Sequence, residues 1–132
     1  MTLDSSTKYV SLVTRRRNGE GVQTPVWFAP VGEAFGVITD NNVGKVKRIR
    51  NNPSVTITPC DMRGNHLEGA TTLAARARVV SGDDAKRVRR AIARKYPLAY
   101  RLLAAVWLVQ VLVEKVKRIP QDPEVAILFT LE

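Results

Sequence analysis

The residues best suited to chemistry lie on a short basic segment, Lys45–Arg50, which follows an apolar strand at Ala34–Thr39. Between the two, Asp40 and the pair of asparagines after it can each cap the start of a helix. Free N–H groups at a helix start, with a lysine in the first turn, suit an anion such as phosphate. The pattern therefore predicts either a phosphate-type site at Lys45 or a solvated basic helix between two strands.

Residues that commonly carry catalysis are sparse elsewhere in the chain. His66 is the only histidine and Cys60 the only cysteine, so a histidine-rich metal site is excluded and a Cys/His pair would lack further ligands. Asp40 and Asp61 are isolated carboxylates, better explained as a cap and a turn residue than as an acid/base pair. We therefore assign no catalytic residue and no metal, and an enzyme of this kind would take its chemistry from a bound cofactor.

The overall charge favours an anionic partner without identifying it. The 132 residues carry 21 Lys and Arg against 12 Asp and Glu, a formal net charge of +9. Nucleic acid, acidic lipid and a phosphate-bearing small ligand would all suit such a field. Aromatic residues make up only 6% of the chain, and no strand interleaves them with cations, which disfavours a specific nucleic-acid platform. A basic nucleic-acid-binding barrel stays open as an alternative.

The elements that must position these residues are six β-strands and a helical excursion at about 82–119. The alternation of apolar and β-branched residues predicts strands at 8–14, 22–30, 34–39, 54–59, 66–81 and 125–131. Pro25 marks its strand as an edge or a bulge, and the 66–81 strand is expected to bend near Gly69. The chain is thus predicted to be one mainly β domain, 1–132, an antiparallel barrel with helical additions.

The second half of the helical excursion, Leu98–Arg118, is unusually apolar. Arg101 and Glu114 bracket far fewer than the 20 or so apolar residues that a membrane span needs. The segment is expected to be buried against the sheet or a second subunit, or to lie at a membrane surface with Trp107 in lipid. A single cysteine and the absence of a basic-then-apolar leader predict a cytoplasmic protein, associated with membrane only through this helix.

An irregular strand near residue 25 offers a place for a flat ring. Trp27 and Phe28, preceded by Thr24 and Pro25, could form an apolar wall while a phosphate on the same ligand reaches Lys45. Taken alone, Trp27 is better explained as a core residue than as the wall of a cofactor site.

Three segments together, GVQTPVWF, FGVITDNNVGKVKRIRNNPSV and TPCDMRGN, resemble the split-barrel flavin and deazaflavin reductase superfamily, which includes pyridoxamine 5′-phosphate oxidase. Within it, the chain is similar to the actinobacterial branch of PPOX-class enzymes that bind coenzyme F420. The resemblance spans about Lys8 to Ser81 and the last strand. It implies a six-stranded antiparallel split β-barrel of the FMN-binding type, which forms a homodimer with cofactors in grooves at the subunit interface.

The resemblance also implies which residues hold the cofactor. The phosphate-binding lysine of the family falls on Lys45, Thr39 falls at the end of the preceding strand, and Lys47 and Arg48 fall in the same phosphate segment. The ring system would lie along Thr24, Pro25, Val26 and Trp27, with Thr58, Pro59 and Cys60 on the next strand edge facing the groove. Many relatives have arginine or serine where this chain has Val43, so one phosphate contact is either lost or supplied by Arg48 or Arg50.

The resemblance implies a reductase in which F420H2 delivers a hydride to an electron-poor organic substrate, with the source of the final proton unassigned. An FMN-binding oxidoreductase or cofactor carrier on the same fold is the first alternative.

Overall fold

The computed structural model describes residues 3–4, 6–39, 44–117 and 125–132. The described residues form seven β-strands: β1 (Tyr9–Arg15), β2 (Gly21–Val26), β3 (Ala29–Val31), β4 (Ala34–Thr39), β5 (Ser54–Cys60), β6 (Leu73–Ser81) and β7 (Val125–Leu131). They also form three helices: α1 (Gly44–Asn51), α2 (Gly82–Lys95) and α3 (Pro97–Lys117). Asp40, its two asparagines and Val43, expected at the start of α1, lie outside the described residues.

All seven strands join one antiparallel sheet in the order β2-β1-β5-β6-β7-β4-β3. The two edge strands, β2 and β3, are separated along the chain by Trp27 and Phe28 alone. Three peptide steps of about 3.8 Å span at most about 11 Å, so the sheet must roll until its two edges approach each other. This roll gives the split barrel that the sequence predicts.

The rolled sheet encloses a core to which the edge strand β2 and the five interior strands contribute. Its fully buried centre includes Phe28, Phe129, Leu12 and Ile57. Phe35 stacks on Phe129 with ring centroids 5.4 Å apart, which joins β4 to β7 inside the barrel. Helix α1 packs against β1 and β6 and buries Val46 and Ile49, the apolar residues that share one face of the helix.

Two predicted strand boundaries were wrong. The expected strand at 22–30 is β2 and β3, because the chain crosses from one edge of the sheet to the other at Trp27 and Phe28, and there are therefore seven strands rather than six. The expected strand at 66–81 begins at Leu73; His66 makes an isolated bridge to Cys60, and Gly69 has a positive φ of 74° that breaks the strand between them. Pro25 does lie on an edge strand, as predicted.

Helix α2 covers the outer face of the sheet at β3, β4 and β7. Its buried side chains, Ala85, Val88 and Ile92, pack on an apolar cluster that includes Leu128. At Gly36 a Cβ would lie 2.8 Å from Cγ1 of Val88, so a glycine in β4 is needed for the helix to approach this closely.

Helix α3 follows α2 directly and, within the described chain, contacts little else. Tyr100 in its first turn packs on the outer cluster, but Leu98 and Leu102 are 76% and 72% exposed. Burial of these described side chains against the sheet, one of the two expected alternatives, is therefore wrong, and burial against a second subunit stays a prediction. None of the described helices is long and apolar enough to cross a bilayer.

Candidate functional site

Arg48 is fixed where α1 meets the far end of β1. Its Nε donates a hydrogen bond to Oγ1 of Thr14 at 2.6 Å. The guanidinium folds back over the start of its own helix, where a Cβ on Gly44 would lie only 2.6 Å from Nη1. The threonine on the strand thus orients this side chain, and the missing Cβ of the glycine in the first turn leaves room for it.

The electrostatic surroundings of Arg48 are unfavourable to a cation. Burial, and then the positive charge of Arg16, lower the pKa of Arg48. Arg16 belongs to the turn between β1 and β2, where its carbonyl accepts a hydrogen bond from Gly19. An anion beside both guanidinium groups would offset the repulsion that Arg48 experiences from Arg16. This corner of the molecule therefore has the charge and the hydrogen-bond donors of an anion site.

The other residues predicted to hold phosphate differ in how exposed they are and in the direction of their side chains. Lys45 is half-buried, like Arg48, and the spacing of three residues puts both side chains on one side of α1. Lys47 is exposed and points away from the buried face of Val46 and Ile49. Thr39 is buried at the end of β4, with 8% exposure. Thr14 and Arg16 were not predicted as parts of the site, although Arg16 lies in the run of three arginines Arg15–Arg17.

The predicted ring-binding strand is β2, whose only partner strand in the described chain is β1. Along it, Val26 points into the barrel core, and alternation places Thr24 on the same face and Pro25 on the outer face. The side chains therefore do not form one continuous wall. The backbone edge of β2 is what a planar ligand could lie along.

Trp27 does not stand in a groove of the single chain. Its ring stacks on Tyr96 at 4.9 Å between centroids with an interplanar angle of 12°, and it belongs to the outer cluster around α2. It is half-buried, so its remaining surface is what a ligand could contact.

The predicted groove residues Thr58, Pro59 and Cys60 lie at the end of β5, where the strand pairs with β1. The register with β6 stops at Ile57, and beyond it an isolated bridge joins Cys60 to His66. Oγ1 of Thr58 hydrogen-bonds Oγ1 of Thr72 at 2.8 Å. Cys60 is buried, and desolvation together with the neighbouring Asp61 raises the pKa of its thiol, so the thiol is protonated at neutral pH. Neither side chain faces solvent in the single chain, and their role toward a ligand stays a prediction.

A buried hydroxyl lies on the outer face of β1, between β2 and β5. The register places Ser11 between Pro25 on one side and Thr58 on the other. Ser11 Oγ is buried and has no hydrogen-bond partner. Gln23 on β2 donates a hydrogen bond from Nε2 to the carbonyl oxygen of Gly64. This bond holds the turn after β5 against β2.

A second ordered cation lies at the other end of β1 and was missed by the sequence analysis. Nζ of Lys95 donates to the carbonyls of Thr7 (2.8 Å) and Phe28 (2.9 Å) and lies 3.5 Å from the centroid of the Phe28 ring. The hydroxyl of Tyr96 donates to the carbonyl of Lys8 at 2.7 Å. We call these two residues the α2 clamp. It fixes the link that joins the two sheet edges, and so it also positions Trp27.

The family comparison covers most of the chain. A family model described as pyridoxamine 5′-phosphate oxidase matches residues 3–118. No curated protein matches the chain significantly.

Solved structures with the same fold include proteins of several functional kinds. A haem storage protein, HutZ of Vibrio cholerae, is 18% identical with a TM-score of 0.62 over 96% of this chain and 81% of its own. An F420 reductase is 18% identical with a TM-score of 0.57 over 97% of this chain and 89% of its own. An FMN-binding protein of Nostoc punctiforme related to pyridoxamine 5′-phosphate oxidase is 19% identical with a TM-score of 0.57 over 94% and 70%. At these identities the likeness shows the fold.

Proposed function

The chain belongs to the pyridoxamine 5′-phosphate oxidase family, and from this premise we propose that it binds coenzyme F420 and acts as an F420H2-dependent reductase of an electron-poor organic substrate. FMN is the alternative cofactor on the same fold, and with FMN the protein would be an oxidoreductase or a cofactor carrier. Both cofactors carry a phosphate and a flat ring, so both make the same demand on the chain.

The observation that carries this proposal is the arrangement around Arg48. Thr14 orients the guanidinium, Gly44 leaves room for it, and burial together with Arg16 leaves its charge poorly stabilised. A phosphate placed against Arg48 would accept charge-assisted hydrogen bonds and relieve the repulsion from Arg16. These donors fit a phosphate well. Lys45, on the same side of α1, would add a further positive charge.

The remaining residues of the proposed site would bind and orient the ring. Its plane would lie along the backbone edge of β2 at Thr24–Val26, beside the exposed part of Trp27. The α2 clamp would hold this edge at a constant distance from the phosphate position. The cofactor supplies hydride-transfer chemistry when it is bound. The chain contributes orientation and exclusion of water, with no side chain assigned to the proton.

The proposed site would be completed by a second copy of the chain. Thr58 and Cys60 are buried and Val26 is in the core, so a single chain offers one wall and an anion corner rather than a closed pocket. A homodimer with the cofactor between subunits would supply the other wall. A cytoplasmic location is proposed on the single cysteine of the sequence.

A titration of the purified protein with F420 and, separately, with FMN tests the proposal. We expect saturable binding, and we expect Arg48→Ala and Lys45→Ala to weaken it about 10- to 100-fold each, since a charged hydrogen bond contributes about 1.5–3 kcal/mol. Lys86→Ala, which removes an exposed cation from α2, is the control and should bind like the wild type. Tight binding of FMN alone would change the cofactor and keep the phosphate site.

Equal binding by all variants, or no binding of either cofactor, would contradict the proposal. Nucleic acid is the competing anion. Binding that disappears at moderate salt, and that responds to Lys86→Ala as much as to Arg48→Ala, would identify a nonspecific basic surface instead.

A further inference from the structure

The residues before β1 lie outside the sheet, but one of them is part of the barrel core. Leu3 is only 6% exposed and belongs to the core cluster, whereas Asp4, Ser6 and Lys8 are exposed and Thr7 is half-buried. We call these five residues the N-terminal strap. A single apolar side chain therefore anchors a strap that is otherwise polar and close to solvent.

The N-terminal strap lies at the end of the barrel opposite α1. Nζ of Lys95 is 2.8 Å from the carbonyl oxygen of Thr7 and 2.9 Å from that of Phe28, which places the strap beside the link between the two sheet edges. Helix α1 lies at Thr14, near the other end of β1, and a strand of this length extends about 20 Å. Helix α1 thus closes one end of the barrel, and Leu3 closes the other.

Few interactions hold the N-terminal strap in place. The amide of Thr7 donates to the carbonyl of Asp4 at 3.1 Å, and the carboxylate of Asp4 accepts from Ser6, so these bonds persist when the strap leaves the barrel. Within the described residues, its hydrogen bonds to the rest of the chain are those from the α2 clamp to the carbonyls of Thr7 and Lys8. Ordering the strap costs conformational entropy, which one buried leucine and these two bonds must offset. Local opening of this end is therefore expected without unfolding of the sheet.

Apolar side chains surround the end of the barrel that the strap closes. Phe28 is fully buried beside the link, and the half-buried Phe35 lies 5.9 Å from it between ring centroids. Leu131, also half-buried, is two residues beyond the partner of Phe35 in β7 and packs on the same core. We call Phe28, Phe35 and Leu131 the barrel mouth. Because this lining is apolar, a molecule that takes the place of the leucine side chain must be apolar as well.

We propose that the N-terminal strap opens, and that a small neutral apolar molecule then binds in the barrel mouth at the position of Leu3. The ligand replaces the buried leucine, so the core keeps its apolar contacts while the strap is released. Because the ligand binds only to chains whose strap is open, its apparent affinity is its intrinsic affinity multiplied by the open fraction. This inference does not depend on the proposed function, since it involves no residue of the anion site and no cofactor.

Cysteine labelling measures the opening of the strap. Leu3→Cys puts a thiol at the buried anchor, and Val46→Cys puts one at a fully buried position of α1, at the other end of the barrel. Cys60 is 3% exposed and gives both variants the same background. We expect Leu3→Cys to react with a thiol reagent at least tenfold faster than Val46→Cys, because local opening is enough to expose it.

A neutral apolar dye, N-phenylnaphthylamine, serves as the probe ligand. At saturating concentration it should accelerate the labelling of Leu3→Cys at least threefold, since the dye holds the strap open, and it should leave Val46→Cys unchanged. Equal labelling of the two variants without the dye would show that only global unfolding exposes Leu3. That result, or a dye that leaves the labelling of Leu3→Cys unchanged or slows it, would overturn the proposal.

The affinity for the dye gives a second, independent measurement. Leu3→Asp should keep the strap open, because burial of a carboxylate is costly, and it should bind the dye at least tenfold more tightly than the wild type. Leu102→Asp places the same charge on α3, at a position that is 72% exposed, and should bind within about twofold of the wild type. Circular dichroism and urea denaturation would show that both variants are folded, and the labelling experiment decides alone if Leu3→Asp is not. Equal affinity of Leu3→Asp and the wild type, or binding that Leu102→Asp abolishes, would overturn the proposal.

Discussion

Two partly buried cations lie at the two ends of β1, and they differ in their hydrogen-bond acceptors and in the charges beside them. Lys95, beside Thr7 at the start of the strand, donates to two carbonyls and rests on an aromatic ring. Arg48, beside Thr14 near its end, donates to one hydroxyl and lies near a second arginine. Burial lowers the pKa of both. The pKa of Lys95 is still lowered to about 8, so its own chain supplies acceptors without fully offsetting the loss of water. Arg48 has one neutral acceptor and a like charge beside it.

If the proposed function is correct, this difference separates a structural cation, Lys95, from a ligand-binding one, Arg48, without reference to any relative. A charge that a protein needs for its fold is surrounded by acceptors, since an unpaired one costs free energy. A charge that binds a ligand is held in place by the fold but left short of acceptors. In this chain the neutral Thr14 orients Arg48 without neutralising it, and such an arrangement retains the cation's capacity for phosphate.

The largest expected effect is on stability, from Lys95→Met compared with Arg48→Met. The first change removes two charge-assisted hydrogen bonds and leaves the Thr7 carbonyl without that donor, so we expect a loss of about 1–3 kcal/mol in the free energy of unfolding. The second removes a cation that repels Arg16 but also the donor to the buried Thr14 hydroxyl, so we expect a smaller loss of about 0–1 kcal/mol. Urea denaturation without cofactor measures both. Equal losses in the free energy of unfolding of the two variants would contradict this difference between Lys95 and Arg48.

The second expected effect is on the pH dependence of stability. Desolvation lowers the pKa of Lys95 to about 8, against the ordinary 10.5 of the unfolded chain. Between these values the unfolded chain binds more protons, so stability from this group rises with pH. Desolvation raises the pKa of Tyr96 to about 12 from 10.0, so its contribution falls between pH 10 and pH 12.

Lys95→Met should therefore flatten the rise above pH 8, and Tyr96→Phe should flatten the fall above pH 10. The amplitudes are moderated by solvent, because Lys95 is partly exposed. Thermal melts of the wild type and the two variants across this pH range would measure the difference. A rise that persists in Lys95→Met would mean that another group carries it.

The smallest expected effect is the most specific. Arg16→Ala should raise the stability of the cofactor-free protein slightly, within about 0.5 kcal/mol, by removing the repulsion at Arg48. The same change should weaken phosphate-ligand binding, because one of the two cations is lost. A higher melting temperature together with a weaker cofactor affinity in Arg16→Ala would support the distinction between Lys95 and Arg48. The same sign in both would show that Arg16 has a structural role.

Local patterns in the sequence predicted most of the sheet. Strands β4, β5 and β7 were found to within one residue, because alternating and β-branched residues are a short-range signal. The predicted helix at Lys45 and the neighbourhood of Lys45 and Arg48 on one side of it also follow from spacing alone. Their roles toward a cofactor stay predictions.

What the sequence did not predict depends on contacts between distant residues. The α2 clamp joins Lys95 and Tyr96 to residues 7 and 8, which are 88 positions away, and no local pattern encodes that pairing. The division at Trp27 and Phe28 was missed for the same reason, since a continuous apolar run does not reveal that its two halves lie on opposite edges. Thr14 was read simply as the end of a strand, because its hydroxyl has meaning only beside Arg48.

The position of β7 has a consequence for synthesis on the ribosome. This strand comes last in the described chain, yet it lies inside the sheet and pairs with β4 on one side and β6 on the other. Until it leaves the exit tunnel, β4 has an open edge and Phe35 has no Phe129 to stack on. The barrel therefore cannot close during translation of its earlier strands, and the nascent chain exposes apolar strand edges that holding chaperones recognise.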